Sequence, residues 1–87
     1  MDSGTRATYV KDMTYDDTLD AIGLLCPLPV LKARKRLKSM DKGQVLRLEA
    51  TDPAAVIDVP HFCAEQGHDF LGDESQNDVT HYFIRKG

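Results

Sequence analysis

The chain has 87 residues, of which 41% are hydrophobic and 29% are charged, and its formal net charge is −3. This length and balance predict one globular domain and exclude an intrinsically disordered chain. No apolar run approaches the ~18–20 residues that span a bilayer, and the acidic excess argues against a dedicated nucleic-acid-binding protein. We therefore expect no membrane insertion and no stable direct binding of nucleic acid.

The first 14 residues mix glycine, serine, threonine and charged side chains without periodicity, which predicts a loose tail before a domain over 15–87. This segment lacks the apolar core of a secretory signal. The chain contains two cysteines, Cys26 and Cys63. Without a secretory signal, we expect both to be free thiols in a reducing cytoplasm.

The first half of the domain predicts a strand, a helix and a second strand. Residues 18–21 and 45–50 alternate between apolar and polar side chains, as half-buried strands do. A helix is predicted over 27–40, ended by Gly43, because apolar residues recur at helical spacing at Val30, Ala33, Leu37 and Met40.

The second half predicts a helix followed by two strands. Asp52 and Pro53 are typical of a helix start, and Gly67 is typical of a helix end. Pro60 interrupts the helix, which therefore either kinks or restarts with Asp58 as a new cap. Strands are predicted over 69–74 and 79–85, joined by a turn at 77–78.

The resulting order is β-α-β-α-β-β. Strands that are joined through helices lie parallel by right-handed crossovers, and the last two strands can form a hairpin. We therefore predict an α/β two-layer sandwich, in which a mixed four-stranded sheet carries both helices on one face.

The strongest candidate for chemistry is Cys26, which the predicted boundaries place at the N-cap of the first helix. Free N–H groups and the helix dipole favour an anion there, and such placements lower a thiol pKa from ~8.5 toward roughly 5–7. Pro27 and Pro29 stiffen the turn and fix the direction of the sulfur. The local sequence has no carboxylate or histidine to act as a base, which favours a carried group over hydrolysis. The alternative is that Cys26 is a small buried apolar residue, but packing alone requires neither proline.

A basic run follows on the same helix. This run is open to two interpretations, a solvated helix face or a surface that docks an acidic partner. The candidate docking residues are Lys32, Arg34, Lys35, Arg36 and Lys38.

Other residues of the chain suggest weaker sites. His61, Cys63 and His68 are of metal-ligand types, but His61 and Cys63 are two residues apart on a helix and point in different directions. A redox pair of Cys26 and Cys63 lacks the Cys-x-x-Cys spacing. We therefore predict no metal site and no cofactor.

Several segments of the domain resemble the TusA-type (SirA-like) sulfur-carrier family in order along the chain. They are Leu19-Asp20-Ala21, Gly23-Leu24, Cys26-Pro27-Leu28-Pro29, Asp52-Pro53, Asp58-Val59-Pro60, Phe62-Cys63, Gly67-His68 and Phe83-Ile84-Arg85-Lys86. Many members of the family have Arg where this chain has Leu25 and Glu where it has Leu28, so the surroundings of the sulfur are more apolar here.

The resemblance implies a small carrier of the same β-α-β-α-β-β fold, in which Cys26 accepts sulfane sulfur as a persulfide, with Gly23, Pro27 and Pro29 as supporting motif residues. It implies a cysteine desulfurase or rhodanese-like donor and an acceptor protein in tRNA 2-thiouridine synthesis, molybdenum-cofactor maturation or another sulfur-trafficking pathway. Such a carrier has no evident catalytic site of its own. Two other classes stay open, a regulatory module that binds protein or RNA and a thiol redox protein.

Overall fold

The computed structural model describes residues 14–87, so the predicted tail over 1–14 lies, apart from Thr14, outside the described residues. Six elements follow one another in the predicted order: β1 (Asp17–Ala21), α1 (Leu28–Lys38), β2 (Val45–Ala50), α2 (Ala55–Gln66), β3 (Asp69–Gln76) and β4 (Val79–Arg85). They confirm the predicted sandwich of a mixed sheet and two helices. Within 14–87, no helix is long and apolar enough to cross a bilayer.

The sheet has the strand order β1-β2-β4-β3. β1 and β2 run parallel, with Ala21 opposite Ala50 at their carboxyl ends, and β4 is antiparallel to both β2 and β3. Because the carboxyl ends of parallel strands meet at one edge, the loops after β1 and β2 emerge side by side. The topology thus brings the residues after Ala21 close to those after Ala50.

The core lies between the helices and one face of the sheet. Every second residue of β2 is buried, as the strand period of two requires. Opposite them, α1 and α2 bury residues three or four positions apart, which is the spacing of one helix face. Among the residues of this core are Leu19, Ala33, Leu37, Leu46, Leu48, Val59, Phe62, Tyr82 and Ile84.

The boundaries of α1 differ from the predicted ones. The sequence predicted Cys26 at the N-cap of this helix. Pro27 occupies the N-cap instead, and Cys26 lies one residue before it, so this prediction is wrong. The helix ends at Lys38, where the Ser39 hydroxyl donates a hydrogen bond to the Arg36 carbonyl. Gly43 lies beyond it, in a turn with a φ of 93°, a conformation that glycine adopts without steric cost.

The second helix continues through Pro60, and the expectation of a restart capped by Asp58 is wrong. Proline removes one helical hydrogen bond and is unfavourable inside an isolated helix. Here the residues around it, Val59, Phe62 and Cys63, are all buried. Burial of this apolar face stabilises the helical path despite Pro60. Gly67 ends the helix in the left-handed conformation, as predicted.

A single arginine ties α1 to the edge strand β1. The Arg36 guanidinium donates to the Asp17 carboxylate at 2.7 Å and to the Thr18 carbonyl at 3.2 Å. The hydrogen bond from Arg36 is the main reason that the pKa of Asp17 is lowered from its ordinary value. The pair is partly exposed, so its contribution is that of a surface ion pair, at most ~1 kcal/mol.

We expect Arg36→Glu to lower the free energy of unfolding by about 1 kcal/mol, because it places like charges at the Asp17 contact. For a domain of this size, such a loss lowers Tm by roughly 4–8 °C. Lys35→Glu is the matched control, since the exposed neighbouring side chain lies outside this contact, and its effect is expected within about 0.5 kcal/mol. Thermal unfolding of the two variants compares them directly, and equal losses would contradict the role of Arg36.

The same contact has a defined pH dependence. Because the pKa of folded Asp17 is lowered, its contribution is present above the ordinary value of 3.8 and is lost as pH falls through the folded value. The difference in Tm between wild type and Arg36→Glu should therefore shrink below about pH 4. A constant difference from pH 7 to pH 3 would show that Asp17 is not the partner that matters.

Candidate functional site

The loop after β1 carries the candidate thiol and is fastened to the loop after β2. Gly23 adopts a φ of 84°, and its N–H donates to the Thr51 hydroxyl at 2.9 Å. A side chain at this φ is strained, so the turn favours glycine at position 23. The structure therefore assigns Gly23 a backbone role in directing the chain toward Cys26.

Asp52 is the buried carboxylate at the centre of this junction, with 8% of its surface exposed. One oxygen accepts the Cys26 N–H at 2.6 Å, and the other accepts the Ala54 N–H at 3.1 Å. The sequence predicted Asp52 as the cap of the second helix, but α2 begins at Ala55 with Ala54 at its N-cap, so this prediction is wrong. The bond to Cys26 was not predicted, because it joins residues 26 positions apart in the chain.

The Cys26 thiol is exposed, and the elements that begin at this edge of the sheet carry six large apolar side chains that are also exposed. We call them the apolar rim, and they come from the loop after β1, from α1 and from the first turn of α2. Its members are Ile22, Leu25, Leu28, Leu31, Val56 and Ile57. A group of exposed apolar residues on a small domain is typical of a surface that contacts another molecule. The exposure of the thiol excludes the alternative that Cys26 is a small buried apolar residue.

Beside the thiol lies an open cavity of about 230 Å³. Pro27 and Val30 line it on one side. α2 lines the other with the side chains of Asp58, His61, Phe62 and Glu65. These positions are three, four and seven residues apart, so they share one helix face. The local sequence around Cys26 has no such polar groups, and only the packing of α2 against α1 supplies them.

The charge around the sulfur is negative, and the predicted lowering of the Cys26 pKa is wrong. The Asp58 carboxylate lines the same cavity as the Cys26 thiol, and its interaction with the thiol is the main cause that raises the pKa of Cys26. Desolvation and the charges of Asp58 and Asp52 act in the same direction. Cys26 lies before the N-cap of α1, so the positive end of the helix dipole does not offset the effect of these carboxylates on its pKa.

The second cysteine belongs to the core. Cys63 is 1% exposed, and burial raises its pKa to about 11. Such a thiol has neither the access nor the thiolate population that exchange with Cys26 requires. The structure therefore gives no support to a redox pair of the two cysteines.

The weaker metal candidates are engaged in other contacts. His61 faces Glu65 at 3.3 Å. His68 accepts a hydrogen bond from the Gly87 N–H at 3.0 Å and lies beside the Phe62 ring. Within residues 14–87, no group of three histidine, cysteine, aspartate or glutamate side chains could hold a metal ion.

The basic residues of α1 line two grooves on the surface of the domain. Lys32, Lys35 and Arg36 line a groove of about 350 Å³ near β1, and Arg36 is already paired there with Asp17. Arg34 and Lys38 line a second groove of about 170 Å³ together with Leu31 and with Lys35, which both grooves share. Lys32 lies four residues after the start of the helix, about 6 Å along its axis, whereas Lys38 lies at its far end.

Fold and site together define a small α/β domain that presents one exposed cysteine beside an acidic helix face. The sequence model of the family described as Sulfurtransferase TusA matches residues 17–86. The chain belongs to this family.

Relatives of known name agree with this assignment. Sulfur carrier protein TusA of Pseudomonas entomophila (strain L48) is 43% identical over 77 residues, covering 88% of this chain and 96% of that protein. YrkF of Bacillus subtilis (strain 168) is 41% identical over 69 residues, which cover 79% of this chain but only 37% of that protein. The crystal structure of a SirA-like protein from Desulfitobacterium hafniense, 27% identical, superposes with a TM-score of 0.68 over 83% of this chain and 99% of that one.

We expect Asp52→Ala to lower the free energy of unfolding by about 2 kcal/mol, because two backbone donors lose a charged acceptor. Asp20→Ala is the matched control, since Asp20 accepts only the Ile22 N–H on an exposed turn, and its cost should stay below about 1 kcal/mol. Urea unfolding monitored by circular dichroism measures both. A loss for Asp52→Ala no larger than that for Asp20→Ala would show that Asp52 does not hold the junction.

Proposed function

We propose that this chain is a sulfur carrier that accepts sulfane sulfur on Cys26 as a persulfide and delivers it to a partner protein. The observation that carries the proposal is the exposed Cys26 thiol at the start of α1 in a member of the TusA family. The names of relatives support the general role, since the Pseudomonas entomophila protein is named a sulfur carrier. An exposed thiol that must stay unoxidised also fits a reducing compartment such as the cytoplasm.

The transfer exchanges one sulfur–sulfur bond for another. The Cys26 thiolate attacks the outer sulfur of a cysteine persulfide on the donor, and a bond forms between these two sulfur atoms. The donor's own sulfur–sulfur bond breaks, and its cysteine leaves as a thiolate. Delivery repeats the step, with the acceptor's thiolate as the nucleophile and Cys26 as the leaving group. The exchange involves no net oxidation, so it needs no cofactor.

We expect Cys26→Ser to abolish loading and Cys63→Ser to retain it, because only Cys26 is exposed. The protein is incubated with a cysteine desulfurase and free cysteine, and the added sulfur is located by peptide mass mapping without reductant. Cys63→Ser serves as the matched thiol control, and circular dichroism confirms that it is folded. Extra sulfur on Cys63 at the wild-type level in the Cys26→Ser protein would contradict the proposal.

The apolar rim is the central part of the proposed docking surface for both donor and acceptor. Leu25 and Leu28 are exposed within it, at 66% and 46% of their surface. A partner that delivers sulfur to Cys26 covers these side chains and removes them from water, which favours association. The proposed donor is a cysteine desulfurase or a rhodanese-like enzyme. The proposed acceptor serves tRNA thiolation, molybdenum-cofactor maturation or another sulfur-trafficking pathway.

The basic residues contribute at the edge of this surface. Lys32 and Lys35 are exposed on α1, whereas Arg36 is held by Asp17. Charges at the edge of an interface act mainly on the association rate, and salt screens them beyond ~8 Å at physiological ionic strength. The structure thus favours Lys32 and Lys35 as docking residues over Arg36.

We expect the double variant Lys32→Gln and Lys35→Gln to be loaded by the donor about tenfold more slowly at low salt, as the loss of two exposed ion pairs predicts. Raising the salt concentration should slow wild type more than the variant. The control changes net charge equally, through Gln66→Glu and Gln76→Glu at exposed positions on α2 and β3. Loading kinetics are followed by quenched mass spectrometry. If loading slowed equally in both double variants, the effect would be one of net charge, and a docking role for Lys32 and Lys35 would be contradicted.

A further inference from the structure

The cavity beside Cys26 has an asymmetric lining. Its wall from α1 and the preceding turn is apolar, formed by Pro27 and Val30, and its wall from α2 carries Asp58, His61 and Glu65. Asp52 adds a fourth titratable group from the loop before α2. The two carboxylates of α2 differ, because Glu65 faces His61 at 3.3 Å. Among residues 14–87, no basic side chain lies within ion-pair distance of Asp58.

We propose that Asp58 is a positioning residue that holds unloaded Cys26 as a thiol. When a positively charged group from the partner pairs with Asp58, Cys26 can lose its proton and react as a thiolate. The proposal rests on the proposed function in taking Cys26 as the loaded sulfur. Its test uses no sulfur donor, so the two can fail separately.

The resting state follows from the position of the Asp58 carboxylate, which lines the same cavity as the Cys26 thiol. A carboxylate accepts a hydrogen bond from a thiol but not from a thiolate, so the contact stabilises the protonated form. The negative charge of Asp58 also opposes a thiolate at the same place, and together these effects raise the pKa of Cys26. The free carrier therefore exposes a sulfur of low nucleophilicity, which limits its reaction with unselected electrophiles.

Docking changes this balance. A partner that seats on the apolar rim covers the cavity and removes Asp58 from water. Burying an unpaired carboxylate is unfavourable, so a partner that fits this cavity brings an arginine or lysine to it. The new ion pair withdraws the carboxylate from the thiol and cancels its charge. Cys26 then loses its proton to solvent and attacks the donor's outer sulfur. The acidic wall thus selects for a cationic group on the partner's face.

The first measurement is the pH dependence of alkylation of Cys26 by neutral iodoacetamide, in which the thiolate forms a sulfur–carbon bond and iodide leaves. Asp58→Asn keeps the size of the side chain and removes its charge. It should react about threefold or more faster than wild type at pH 7, with its pH midpoint shifted down, as the loss of one exposed charge interaction predicts. Glu65→Gln is the control for a carboxylate in the same cavity, and its shift should be smaller. Asp58→Ser is a second variant in case Asp58→Asn is not folded.

The second measurement replaces the partner's cation with that of a small reagent. Methanethiosulfonates form a disulfide with the thiolate and release methanesulfinate, and they exist with a trimethylammonium or a sulfonate group. Wild type should prefer the cationic reagent over the anionic one. This preference should fall about threefold or more in Asp58→Asn, and less in Glu65→Gln.

Either of two results would overturn the proposal. A pH midpoint in Asp58→Asn equal to or above that of wild type would show that Asp58 does not hold the thiol. An unchanged ratio of cationic to anionic rates would show that Asp58 does not receive the cation. Failure of a desulfurase to load wild type would instead count against the proposed function alone.

Discussion

The position of the Cys26 loop relative to the start of α2 depends on the buried carboxylate of Asp52. A carboxylate is unfavourable in the interior unless hydrogen bonds replace its water, and two backbone N–H groups do so here. One belongs to Cys26, after β1, and the other to Ala54, before α2. Because β1 and β2 are parallel, the loops that carry these groups leave the sheet at one edge, and Asp52 fixes the distance between them. The apolar rim and the cavity beside the thiol both follow from this junction.

The same junction decides the charge at the sulfur. Cys26 lies just outside α1, and α2 turns its acidic face toward the thiol. The basic residues of α1 lie further along the helix. Lys35 and Lys38 are in its last turn, where positive charge interacts favourably with the negative end of the helix dipole. One helix thus begins beside carboxylates and ends in lysines. The site thus combines an exposed thiol with negative charge beside it and positive charge further along α1.

Local pattern predicted most of the fold. The strands over 45–50 and 79–85 have the predicted bounds, and Gly67 ends α2 as expected, because alternation and left-handed glycine are properties of a few adjacent residues. The errors lie where neighbours in space prevail over neighbours in sequence. Pro60 indicated a kink or a restart capped by Asp58, and the restart is wrong because the buried face of Val59, Phe62 and Cys63 stabilises one helix through Pro60. The sequence treated Arg36 as one of five equivalent basic residues on a solvated or docking face, and only its contact with Asp17 distinguishes it.

The sequence by itself determined the order of the elements, the identity of Cys26 as the candidate nucleophile and the resemblance to the sulfur-carrier family. These depend on residue types and on short spacings, which the chain order preserves. Only the tertiary structure decided the environment of the sulfur. Asp52 and Asp58 lie 26 and 32 positions from Cys26 in the chain, and the packing of α2 against α1 brings them to it. Electrostatic interactions depend on separation in space and not on separation along the chain. The direction in which the pKa of Cys26 changes therefore follows from that packing.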